Sequence, residues 1–173
     1  MKISKLATNM YPMAIYDAST GYQADLRHSS ANQIRFYATD TAGTARAHLL
    51  TDRLFRDTSA WYHIVWKVDT TQGTAANRVK LYVNGVQETS FATETYPPQN
   101  TNLRWNGTNA DDQGGITRIG AIQADTGSYD GYFSEFVFID GTALDADSFG
   151  EFDSGSNIWK PIDVSGLTFG TNG

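Results

Sequence analysis

Between Tyr96 and Gly107 the sequence YPPQNTNLRWNG interleaves aromatic rings with amides and a guanidinium. Sugars are held by stacking their apolar faces on aromatic rings while Asn, Asp and Arg bond the hydroxyls, so Tyr96, Arg104, Trp105 and Asn106 are candidate glycan contacts. An equal reading tucks Trp105 against its own domain as the cap of a loop. A few residues on, Asn109-Ala110-Asp111-Asp112 and Gln113 gather hard oxygen donors beside glycines, the ligand type Ca²⁺ takes. Asn109, Asp111 and Asp112 are therefore candidate calcium ligands, with Asp125, Asp130 and Asp140 as weaker ones. Calcium asks for about six to eight oxygens, and no EF-hand-like spacing supplies them, so a solvated acidic turn is the plainer reading. Asn106-Gly107-Thr108 fits a glycosylation sequon, which matters only in a secretory pathway that nothing in the sequence indicates.

Other chemistries lack their parts. With no Cys in the sequence, disulfides, thiolate metal sites and cysteine nucleophiles are excluded. There is no G-x-S-x-G elbow, and His28, His48 and His63 fall in or near predicted strands without a recognisable partner spacing. His63 reads as a surface or edge histidine, since nothing supplies an orienting group.

These residues must be positioned by strands. From Trp61 to Asp69, WYHIVWKVD puts Tyr62, Ile64, Trp66 and Val68 on one side, the period-2 alternation of a half-buried strand. The run RVKLYVNGVQ then places Val79, Leu81 and Val83 on one face and turns on Asn84-Gly85, a pair that tolerates positive φ at both central turn positions. The loop from Asp69 to Asn77 separates the two strands. Further strands are expected at Met13 to Tyr16, Tyr22 to His28, Gln33 to Ala38, Arg46 to Leu50, Gln87 to Phe91, Thr117 to Ile122 and Gly131 to Ile139. The last is apolar on both faces apart from Glu135, which predicts a central strand covered on both sides. Helix is scarce, with one turn expected over Asp145 to Phe149 and Asp145 as its N-cap. Short strands separated by turn formers predict an all-β sandwich.

Composition bounds the rest. A chain of 173 residues is read as a single domain over 1–173, large enough to hold a core without staples. A formal net charge of -6 and a pI near 4.9, with scattered basic residues, argue against a nucleic-acid partner. No apolar run approaches a membrane span, and Met1 to Met13 lacks the basic start and apolar stretch of a signal peptide.

The strand WYHIVWKVD, the hairpin VKLYVNGV, the run DGYFSEFVFIDGTAL and the tail DADSFGEFDSGSNIWKPIDVSGLTFGTNG together resemble the laminin G-like, concanavalin A-like lectin/glucanase modules of tailed, especially marine, bacteriophage structural proteins. The resemblance spans about Leu49 to Gly173. It implies a two-sheet antiparallel jelly roll carried on a virion, non-enzymatic, decorating a capsid or associated with a tail and contacting host surface glycans. A soluble carbohydrate-binding, lectin-like module is the alternative. Glucanases of this superfamily carry Glu-x-Asp-x-x-Glu on one strand; here Glu151-Phe152-Asp153 is followed by Ser156, so the acid and nucleophile that glycoside hydrolysis needs are not both supplied. Calcium bound between loops is also implied by the resemblance. Compared with similar members, one or two strands before Met1, including an aromatic-rich one, and another after Gly173 are expected to be missing. Their joint absence leaves a sheet edge unpaired, so the chain is expected to be a homo-oligomer among other virion proteins, or a fragment of a longer one.

Overall fold

The computed structural model describes residues 1–17, 22–40, 42–105, 116–122, 127–171 and 173. The first half of the chain contributes β1 (Lys2–Ile3), β2 (Met10–Tyr16), β3 (Gln23–His28), β4 (Ile34–Thr39), β5 (Ala45–Thr51) and β6 (Ile64–Val68). The second half contributes β7 (Val79–Val83), β8 (Val86–Glu88), β9 (Phe91–Thr95), β10 (Ile116–Ile119), β11 (Gly131–Tyr132), β12 (Gly150–Phe152) and β13 (Trp159–Pro161). A large six-stranded sheet runs β10-β2-β3-β4-β5-β9, a small three-stranded sheet runs β6-β7-β8, and β1-β11 and β12-β13 are two-stranded ribbons. The pairings are antiparallel throughout. The fold is the expected all-β, concanavalin A-like sandwich.

Alternation along the strands decides what lies between the two main sheets. Ile15, Ala24, Phe36, Ala38, Ala47 and Leu49 of the large sheet meet Val79 and the half-buried Trp66 and Val68 of the small one. A second cluster joins Ile3, Met10, Ile34, Phe55, Tyr62, Leu81 and Val83. Phe36 lies at the centre of the first, with ring centroids 5.1 Å from Trp66 and 5.2 Å from Trp105. Burial of such rings is the main favourable term in a sandwich of this kind.

Several strands differ from expectation. The expected strand from Gln87 to Phe91 is two: β8 pairs with β7 and β9 pairs with β5, so the chain changes sheets at Thr89-Ser90. Asp52 pins this crossover, its N–H donating to the Ser90 carbonyl at 3.1 Å and its carboxylate accepting from the Ser90 hydroxyl at 2.6 Å. The expected central strand from Gly131 to Ile139 is regular only over Gly131–Tyr132. Glu135 adopts a φ of 55° and is exposed, which keeps its carboxylate in water and breaks the extended run. Phe133 instead stacks on Tyr129 at 4.2 Å, and the run from Phe133 to Leu144 lines, together with β6, a cleft of about 920 Å³. Asp145 precedes a 3-10 turn, Ala146–Ser148, without a side-chain cap bond. Its carboxylate accepts from Lys67 Nζ at 2.9 Å and from the Tyr82 hydroxyl at 2.7 Å instead.

Candidate functional site: the outward face of the large sheet

The period of two that buries Ala24, Leu26, Phe36, Ala38, Ala47 and Leu49 turns the residues between them to the other side of the large sheet. Strand register places Arg118, Ala14, Asp25, Tyr37, His48 and Thr95 in one row across it. Two residues along each strand, Arg27, Arg35, Leu50 and Thr93 form a second row. An outward face built only for solubility would carry Thr, Ser and Lys; this one carries a carboxylate, guanidinium groups, a phenol and an imidazole.

The groups are held firmly. Asp25 is fully buried, and its carboxylate accepts from Arg35 Nε at 3.0 Å, from Arg35 Nη2 and from Gln23 Nε2. The Arg35 guanidinium also lies over the Tyr37 ring, 4.9 Å from its centroid, while His48 meets that ring edge-on at 5.7 Å. Arg27 donates from Nη1 to the Tyr11 hydroxyl at 3.4 Å. Burial pushes the Asp25 carboxyl up, against the opposing pull of Arg35 and, after it, Arg27. Burial, then the charges of Arg35 and Arg27, holds the His48 imidazole below its usual range, so it is neutral at pH 7 and offers one donor and one acceptor. Tyr37, Arg27 and His48 are each half-buried, so each keeps part of its surface in solvent.

This arrangement offers fixed contacts to a bound ligand. Among the described strand residues of the face, Asp25 is the only carboxylate, and it is engaged by Arg35. Asp40, at the end of β4, is itself taken by Arg46 Nε at 2.6 Å. A flat aromatic ring flanked by fixed donors and acceptors is the geometry that holds a pyranose: the ring takes its C–H face, the polar groups its hydroxyls.

Three of the residues read from the sequence, Tyr96, Arg104 and Trp105, are among the described ones. Arg104 is buried, with its guanidinium 4.5 Å from the Tyr22 ring centroid and its backbone N–H donating to the Thr39 carbonyl at 3.0 Å. Trp105 packs on Phe36 and into the first core cluster, as the capping alternative has it. Tyr96 is half-buried against the same cluster, and its hydroxyl donates to Glu94 Oε1 at 2.7 Å. Tyr96 and Trp105 are thus both half-buried against the same cluster. Asn106 and the calcium candidates Asn109, Asp111 and Asp112 lie outside the described residues, as does Asp125. Among the described residues, no group of three or more His, Asp or Glu side chains could hold a metal ion. Sequence reading passed over Asp25, Arg27, Arg35 and Tyr37, and weighed His48 only as a catalytic histidine without a recognisable partner. Their signal was available in QADLRH, IRFYAT and ARAHLLT, where, Leu50 apart, every second residue is polar or aromatic.

The laminin G family model described as the concanavalin A-like lectin/glucanases superfamily matches residues 3–147. The chain belongs to that superfamily. The match covers the large sheet, the small sheet and the β1-β11 ribbon, and ends before β12. No curated protein and no solved structure matches the chain. Membership carries the fold; within so broad a superfamily, the side chains on the sheet must decide the role.

Proposed function

We propose that this domain is a non-catalytic carbohydrate-binding module whose site is the outward face of the large sheet. The observation that carries it is the row Asp25, Tyr37 and His48 in register on β3, β4 and β5, with Arg35 joining the carboxylate to the ring. Asp25 orients Arg35, Arg35 and His48 fix the ring of Tyr37, and Arg27 and His48 supply hydroxyl contacts. Binding by a preformed site costs little side-chain ordering, because these groups already restrain one another. A glycan array probed with the labelled protein and with Tyr37→Ala tests this. Wild type is expected to retain at least one glycan, and the variant to lose about tenfold or more in affinity for it, the scale of one stacking contact. Equal retention by both proteins would reject this face as the site.

The setting implied by the sequence resemblance, a bacteriophage virion on which the module is presented as a homo-oligomer, is proposed on that resemblance. Among the described residues the small sheet ends at β6 and β8, and edges of this kind favour self-association through added strands. Light scattering with and without calcium chelation tests it. A stable oligomer is expected, whereas a calcium-indifferent monomer over a wide concentration range removes both the oligomer and the metal.

A further inference from the structure

On the other layer of the molecule, four large apolar side chains stand out in water together: Trp61 at 51%, Val86 at 61%, Phe152 at 47% and Ile158 at 66% exposure. They line one cleft of about 600 Å³ with Trp159, Arg53, Asn84 and Asn157. Clustered exposure of this kind marks an interaction site, since isolated apolar residues are common on surfaces and grouped ones are not.

The floor is built with care. Trp159 lies flat against the β7-β8 turn and β12. A Cβ on Gly85 would come within 2.2 Å of its ring, and one on Gly150 within 2.5 Å. Phe152, paired with Trp159 across the ribbon, meets it edge-on at 5.0 Å, and His63 flanks it at 5.8 Å. Asn84 and Asn157 sit at the tips of their two turns with φ of 49° and 55°. The Asn84 side-chain oxygen accepts from the His63 N–H at 2.8 Å, so its amide nitrogen is the donor left for a ligand. Arg53, which lies 3.6 Å from Glu88, brings a guanidinium donor to the rim.

We infer that this cleft is a second saccharide site, taking a neutral pyranose whose C–H face lies on Trp61 or Phe152 while Asn84, Asn157 and Arg53 bond its hydroxyls. A protein partner would want a flatter, more continuous apolar face; here aromatic walls alternate with amides in a concavity, the composition of a sugar subsite. Phe152, Asn157, Ile158 and Trp159 lie beyond the residues that the family model matches, so the family match does not account for the cleft. The inference rests on the carbohydrate-binding reading above and deepens it: two sites on separate layers let one domain grip a polysaccharide at two points, which raises avidity without tightening either contact.

Affinity electrophoresis in native gels containing laminarin, galactomannan or xylan tests the cleft, with Trp61→Ala, Phe152→Ala, Trp61→Phe and Tyr37→Ala run beside wild type. At least one polysaccharide is expected to retard wild type. Trp61→Ala and Phe152→Ala should each weaken that retardation about tenfold, and Trp61→Phe, which keeps a ring, should restore most of it. Tyr37→Ala should weaken retardation separately. If Trp61→Ala and Phe152→Ala migrate as wild type while Tyr37→Ala is released, the cleft is no saccharide site and the sheet face stands. If no polysaccharide retards wild type, both readings fall. If Trp61→Ala turns an oligomer into a monomer by light scattering, the cleft is a surface for a second copy of the chain, and the saccharide assignment is overturned.

Discussion

The fully buried Asp25 sets the energetics of the sheet face. Removing it leaves the Arg35 guanidinium desolvated and without its main counter-charge, so Asp25→Ala is expected to cost about 3–5 kcal/mol in urea unfolding. Adding Arg35→Met should recover much of that loss, because replacing both ions of a buried pair with apolar groups is far milder than orphaning one. Histidines give the domain its acid response. His28, His48 and His63 all titrate below the ordinary 6.5, each chiefly through burial, so the native state binds fewer protons than the unfolded chain. Their contribution is present above about pH 6.5 and is lost as pH falls toward the folded-state values. The melting temperature should therefore fall between pH 6.5 and 5. A His28→Gln variant should show a shallower fall, since His28 Nε2 lies 3.1 Å from the Phe55 carbonyl in the interior. At this scale the sequence was least legible. Arg104 read as a glycan contact and Trp105 as either a glycan contact or a packed cap, because both stand among Asn and Gly; packing on Phe36 and Tyr22 took them inward. Asp25 and Arg35 lie ten residues apart, and only the pairing of β3 with β4 makes them partners.

Elements were easier to read where local chemistry and packing agree. Asn84-Gly85 turns the β7-β8 hairpin with φ of 49° and 78°, as that dipeptide demands. Gly85 carries a second duty, since Trp159 lies where its Cβ would be. Gly85→Ala should therefore cost more than the about 1 kcal/mol of a strained turn alone, and shift tryptophan emission as Trp159 lifts away. Reading failed where a strand's partner was not local. GYFSEFVFID has the alternation of a strand, but alternation cannot say whether a neighbouring strand will accept it, and Glu135 turns the chain outward first. Likewise nothing in VQETSFATET announces that its two halves join different sheets. That outcome follows from Asp52, far earlier in the chain, holding Ser90.

Across the whole molecule, Phe36 ties the layers together: it comes from the large sheet, Trp66 from the small one and Trp105 from the loop after β9. Phe36→Ala should cost about 3–5 kcal/mol in chemical unfolding while preserving a single transition, because the cavity opens between the sheets rather than within one. The all-β class and the sandwich were legible from strand spacing, because two layers are the general way for strands with one apolar face to bury it. The crossover at Thr89-Ser90 has a mechanical consequence. From Glu88 to Phe91 the chain spans three Cα steps, at most about 11 Å. Packed sheets lie about 10 Å apart. The link is thus drawn almost tight, like a stitch through two layers of cloth, and neither layer can slide or lift without first stripping β8 or β9 from its neighbour. Under load the domain should yield in one rupture, with no half-opened stage in which either face hangs free.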